Sequence, residues 1–309
     1  MVNKEVPFKA LKRTESKIPA LLEKHKNKEL INWVDGDIRD FLSLSAALEN
    51  VDQIIHCAAL ISLHKEDYSL MWDTNVTGTI NILNLALDKQ IKRFMHISSV
   101  AALGRGEKSS VDESAQWYKS PNNSYYAETK YAAEVEVWRA YEEGLPAVIL
   151  NPSTVFGPSD WETGSTQIFK YIWKGASFYP KGYLNYVDVR DVSFIAVKLM
   201  EMDTVGERFI LNAGRIDYKS LFEKIAINFD RKPPSKQLKN WMLKAAPKVE
   251  KIRSFFIGER PIITRESAQL SDMSYDFRND KIKSFLNFEF KPLEDTIVWT
   301  CKELKNLNS

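Results

Sequence analysis

RFMHISSVAALG (Arg93–Gly104) and SYYAETKYAAE (Ser124–Glu134) are the stretches on which the reading of this chain turns. The first is an apolar run of strand length that stops on Ser98-Ser99, with Gly104 five residues beyond. The second sets Lys130 four residues after Tyr126, so on a helix the two side chains share a face one turn apart. A strand that ends on hydroxyls is thus followed by a helix that carries a phenol and an ammonium group.

The same strand-then-helix order continues on both sides. Phe8–Leu11, Ile31–Val34, Gln53–Cys57 and Ala147–Leu150 read as short buried strands beside Arg93–Ile97. Helical periodicity falls at Ile18–Lys26, Ser43–Leu48, Leu70–Leu87 and Tyr126–Glu143. Buried strands alternating with helices of this length predict a parallel sheet covered on both faces. After Pro152 the alternation loosens through NPSTVFGPSD into Thr166–Lys174 and a short apolar piece, Tyr183–Val187. Helix Val192–Met200 and strand Arg208–Leu211 would extend the sheet, and from Tyr218 onward the pattern is mostly helical. The expected organisation is residues 1–165 plus about 184–212 as one domain, with 166–183 and 213–309 as a smaller substrate-binding domain.

Composition narrows the function. At 44% hydrophobic and 27% charged the chain is globular, and a net charge of +2 is too small for a nucleic-acid binder. Cys57 and Cys301 form no disulfide framework. His25, His56, His64 and His96 have neither an i,i+4 pair nor a cysteine at ligand spacing, so no metal site is expected. No apolar run is long enough to span a bilayer, and MVNKEVPFKALKR lacks the apolar core of a secretory signal, so the expected location is the cytoplasm.

A lysine ammonium one turn from a phenol would lower the phenol's proton affinity, letting it exchange a proton with a carbonyl or alcohol oxygen near neutral pH. A serine hydroxyl at a strand end would polarise the same oxygen. With 12 tyrosines in a lysine-rich chain, about one Tyr-x-x-x-Lys is expected by chance, so the motif gains meaning from its neighbours. QIIHCAAL ends in Ala58-Ala59, small enough for a cofactor phosphate to approach the backbone. WVDGDIRD comes before it, and DTNVTGT, HISSVAALG, SYYAETK, NPSTVFGP and YVDVRDV follow in order. With these the sequence resembles the extended short-chain dehydrogenase/reductase superfamily, in particular its dihydroflavonol-reductase and 3β-hydroxysteroid-dehydrogenase branch. The resemblance is strongest from Asp35 to Asp191.

That resemblance implies an α/β fold, a doubly wound parallel Rossmann-type sheet with a mostly helical carboxy-terminal domain. It implies Tyr126 as general acid/base, Lys130 as its tuner and a partner of the nicotinamide ribose, and Ser99 as the residue polarising the carbonyl. Asp37 and Ile38 would flank the adenine, Ala58 and Ala59 would line the cofactor groove, and Pro152 and Val155 would hold the nicotinamide end. Asn75 would shape the site through its helix or simply pack. Asp188 and Asp191 would brace a loop and cap the helix near Val192. Lys12 and Arg13 stand where an NAD enzyme carries a carboxylate, so NADP is expected, with NAD the alternative.

The pattern breaks at the start. The first strand and its G-x-x-G-x-x-G turn should precede Phe8, and seven residues cannot hold that unit. The expectation is that Met1 is an internal methionine of a longer protein, with a cofactor-free binding module as the rival. Without the central strand its two neighbours would pair directly or face a gap, and each buried unpaired group would cost about 1–3 kcal/mol.

Within the resemblance, dehydratases carry an acidic pair after the active serine or threonine, where this chain has Val100 and Ala101. Epimerases usually carry arginine where Asn151 stands. A reductase or dehydrogenase acting on a hydrophobic carbonyl or secondary alcohol is therefore expected, with a nucleotide-sugar epimerase second. The partner is a small molecule, and a homodimer is left open. The segment KQLKNWMLKAAPKVEKIRSFFIGERP is expected to form a lid or pack in the core, with a membrane-surface helix as the alternative.

Overall fold

The computed structural model describes residues 5–308 except 24, 63, 105–109, 121–122, 163 and 239–274. The lysine- and aromatic-rich segment expected to act as a lid therefore lies outside the described residues from position 239 onward.

In chain order, β1 is Phe8–Lys12, α1 Ala20–Glu23, β2 Ile31–Asp35, α2 Phe41–Ala47 and β3 Gln53–His56. Helix α3 (Tyr68–Trp72) runs through a π-helical turn, Asp73–Thr77, into α4 (Gly78–Asp88), and β4 (Arg93–Ile97), β5 (Ser110–Val111), α5 (Tyr125–Glu142), β6 (Ala147–Pro152) and β7 (Thr154–Phe156) follow. Then come α6 (Thr166–Trp173), β8 (Phe178–Tyr179), β9 (Tyr183–Asp188), α7 (Val189–Met200), β10 (Glu207–Leu211), β11 (Gly214–Asp217) and α8 (Tyr218–Asn228). The last are β12 (Lys236–Gln237), β13 (Asp276–Phe277), α9 (Asp280–Leu286) and α10 (Leu293–Asn308).

The centre is a four-stranded parallel sheet in the order β10-β6-β4-β3. Alternate residues feed opposite faces, as strand geometry requires. Phe94, Ala147 and Ile149 pack with Ile82, Leu83 and Val137 of α4 and α5. Met95, Val148 and Leu150 pack with Ile195 and Leu199 of α7. Helices on both faces explain why these strands read as continuous apolar runs.

β1 departs from the expectation of a buried strand. It pairs in parallel with β2 alone, and that pair forms a separate sheet with no ladder to β3 among the described residues. Partnered on one edge only, β1 is half exposed along its length. Of the two outcomes foreseen for a sheet without its central strand, direct pairing of β1 with β3 is not seen. Helix α1 starts at Ala20 rather than the expected Ile18, because Pro19 disfavours helical geometry at Ile18. β9 lies between β7 and β11 in a three-stranded mixed sheet, and the β11 strand has no counterpart in the sequence reading.

Candidate active site

Two capping serines place the site. Ser99 lies two residues beyond β4 and opens a 3₁₀ turn, its Oγ accepting from the Ala101 amide at 3.1 Å. Ser124 caps α5, its Oγ accepting from the Ala127 amide at 3.0 Å, which puts Tyr126 in the first helical turn. The Ser99 hydroxyl adjoins the phenol of half-buried Tyr126. Burial raises the phenol's pKa more than Ser99 lowers it, so it is pushed up to about 12.

The expected tuning of Tyr126 by Lys130 is not what this arrangement shows. Lys130 is only 2% exposed, and its Nζ donates to the Ile97 carbonyl at 3.0 Å and meets His96 Nε2 at 3.5 Å. Burial, opposed by Glu134, brings the ammonium down to about 8. A buried cation satisfies its donors on the nearest carbonyl, and here that carbonyl belongs to the strand rather than the helix. His56 and His96 lie 5.2 Å apart beneath it, both held neutral by burial and by the Lys130 charge, and His56 falls to about 3.

Asn75, in the π-helical turn, ties three segments together. Its Oδ1 accepts from the Leu60 amide at 2.7 Å, and its Nδ2 donates to the Leu60 carbonyl and to Thr129 Oγ1, both at 2.9 Å. The loop after β3 is thereby fixed to α5 one turn from Tyr126. Ala58 and Ala59 on that loop are exposed.

The other expected ligand residues are more dispersed. Asp37 is chelated by Arg39 (Nη2–Oδ2 2.7 Å), which holds its carboxyl below the usual range. Ile38 is 7% exposed and lies in the core over Gly78, with its carbonyl taken by Asn81 at 3.0 Å. Its side chain therefore supports the Asp37 loop from beneath. Lys12 pairs with Asp35 at 2.5 Å and Arg13 with Glu15 at 3.2 Å, both beside the β1–β2 sheet. Pro152 is buried in β6, and Val155 is half-buried in β7.

Asp188 caps α7 from Val189, accepting from the Arg190 amide at 2.7 Å. Asp191 is not a cap. It sits inside the first turn of α7, buried, and accepts from the Lys291 amide at 2.8 Å. Glu134, His56 and Arg208 were missed by the sequence reading. Of these only Glu134 had a visible signal, its place four residues beyond Lys130.

The sequence matches the NAD dependent epimerase/dehydratase family over residues 4–214. The chain belongs to that family. As a family member it is 31% identical, over 80% of its length and 74% of the relative's, to a Synechocystis protein described as a dihydroflavonol 4-reductase. It is 27% identical to cinnamoyl-CoA reductase 1 of Petunia hybrida over 90% of its own length and 78% of the relative's. Among solved structures, gox2253 superposes with TM-score 0.80 at 29% identity, covering 99% of this chain and 92% of that one. A UDP-glucose 4-epimerase from Thermotoga maritima shares the fold at TM-score 0.77 and 16% identity, covering 100% and 94%.

The residues of this family member suit a nicotinamide nucleotide. Lys130 has three N–H groups, and the partners described for it are Ile97 O and His96 Nε2. Ala58 and Ala59 carry nothing beyond Cβ, so backbone is open to a ligand at the end of β3. Among the described residues no group of His, Cys, Asp or Glu is placed to hold a metal ion, and no helix is long and apolar enough to cross a membrane.

Proposed function

We propose that this chain carries the catalytic residues of an NADP-preferring reductase that moves hydride between a nicotinamide and the carbonyl or secondary alcohol of a hydrophobic small molecule. The observation that carries this reading is the meeting of the Ser99 hydroxyl and the Tyr126 phenol at the carboxyl end of β4. The chemistry a bound nicotinamide supplies is hydride transfer at carbon. Tyr126 and Lys130 would hold its ribose, Pro152 and Val155 its nicotinamide end, Ala58 and Ala59 its phosphates, and Asp37 with the Ile38 main chain its adenine.

Ser99 donates a hydrogen bond to the substrate oxygen and Tyr126 gives it a proton, so the oxygen ends as a hydroxyl. A phenol raised by burial is fully protonated at neutral pH, the state required of a proton donor in the direction of reduction. The two named reductases among the relatives support an aryl-bearing carbonyl as the substrate class.

The test is NADPH consumption with a panel of aryl aldehydes, aryl ketones and aryl thioesters. Tyr126→Phe should reduce the rate about a hundredfold or more while leaving NADPH binding intact. Retention of more than about a tenth of the wild-type rate would remove Tyr126 as proton donor.

A further inference from the structure

Glu134 is 1% exposed, two turns below Tyr126 and one below Lys130 on the same face of α5. Its Oε1 accepts from Asn151 Nδ2 at 2.5 Å, and the same Nδ2 donates to the main-chain carbonyl of Ser99 at 2.9 Å. Its Oε2 faces Arg208 Nη1 at 3.4 Å. Arg208 in turn donates through Nε and Nη2 to the Glu113 carbonyl at 2.9 and 2.6 Å. The carboxylate thus joins α5, β6, β10 and the main chain that carries Ser99.

We propose that Glu134 is a positioning residue of the site: through Asn151 it fixes the main chain at Ser99, and one turn away it presents Lys130 with a compensating negative charge. This rests on the reading of Ser99, Tyr126 and Lys130 given above. A carboxylate out of water is costly and persists when its lone pairs are filled and a cation stands nearby. Here Asn151 supplies the hydrogen bond, and Arg208 and Lys130 supply the positive charge. Burial raises the Glu134 carboxyl, while the Ser98 hydroxyl, Arg208, Asn151 and Lys130 act in the opposite direction.

Lys130 faces Glu134 on its own helix, His96 on β4, and His56 and Cys57 at the end of β3. His56 and His96 are neutral and the Cys57 thiol, pushed up to about 11, is protonated near neutral pH, so the Glu134 carboxylate leads the groups that favour the ammonium, ahead of Cys57. A neutral side chain at position 134 therefore lets Lys130 lose its proton at lower pH.

The experiment is an NMR titration of the chain bearing 13C-labelled lysine side chains, with no ligand present. The Lys130 signal is identified by its loss in Lys130→Met. Glu134→Gln keeps the shape and an acceptor for Asn151 but removes the charge, and it should lower the Lys130 midpoint by about one pH unit. Glu134→Asp keeps the charge but withdraws it from Asn151. It should leave the midpoint in place and lower kcat for hydride transfer about tenfold, with little change in KM.

A Glu134→Gln midpoint equal to wild type, or a Glu134→Asp kcat equal to wild type, overturns the proposal. Should Glu134→Gln not fold, Glu134→Asp decides alone. The titration needs no substrate. Absence of hydride transfer by the wild-type chain would defeat the reductase reading, and the lysine midpoint would still decide the part of Glu134.

Discussion

Lys130 Nζ donates to the carbonyl of Ile97 at 3.0 Å, which commits the ammonium to the strand that leads to Ser99. Its pKa of about 8 lies below the ordinary 10.5. Between those values the unfolded chain binds more protons at this group, so stability rises with pH across that window. Below about pH 8 both states are protonated and the cost of burying the charge is fully present. The gain is on the order of 3 kcal/mol, and Lys130→Met should abolish it. Urea denaturation at neutral pH and at about pH 10 measures the difference. An equal rise in the mutant would assign the effect to another group.

Asn75→Leu strands the Leu60 amide and carbonyl, which both bond to the Asn75 side chain. The expected loss is about 2–3 kcal/mol in chemical denaturation. An unchanged midpoint would mean that water reaches Leu60 without cost.

Gly104 lies against the main chain of Gln116, where an added methyl would overlap the Gln116 carbonyl. Next to it, Trp117 stacks on Tyr131 at 4.6 Å and 7°. Gly104→Ala should push that loop away, destabilise the chain by about 1–3 kcal/mol and change its tryptophan fluorescence. Unaltered emission with wild-type stability would show that the loop yields freely.

Cofactor preference should follow Arg13 more than Lys12. Lys12 is held by Asp35 at 2.5 Å with its side chain 20% exposed, whereas the Arg13 side chain is 57% exposed beside Glu15. Fluorescence titration should give tighter binding of NADPH than NADH, reduced strongly by Arg13→Ala and weakly by Lys12→Ala. Equal affinities for the two nucleotides before any mutation would sink the assignment.

What the sequence disclosed was the part governed by local pattern. Arg93–Ile97 was readable to the residue because an apolar run stops at two serines, and Tyr126–Glu143 missed its ends by one residue because Ser124 caps the helix. The direction taken by Lys130 was not readable. Spacing places two side chains on one face, but burial and the nearest carbonyl decide where an ammonium points. Glu134 stayed hidden because Arg208 lies 74 residues further along. Asp191 was misjudged because α7 begins at Val189, three residues before the apolar pattern becomes regular.

The π-helical turn also escaped the sequence, since Leu70–Leu87 reads as one continuous helix. The Gly78 amide bonds to the carbonyl of Asp73, one residue further back than an α-helix would use. That single surplus residue lets α3 and α4 each keep a buried face while Asn75 reaches the loop after β3. The arrangement depends on how many residues lie between Trp72 and Gly78 as much as on which ones they are. Deleting Asp73, Thr74, Val76 or Thr77 would heal the turn into a regular α-helix and rotate Asn75 away from Leu60. Changes of length in this turn are therefore less tolerable than changes of identity at Asp73, Thr74 or Thr77.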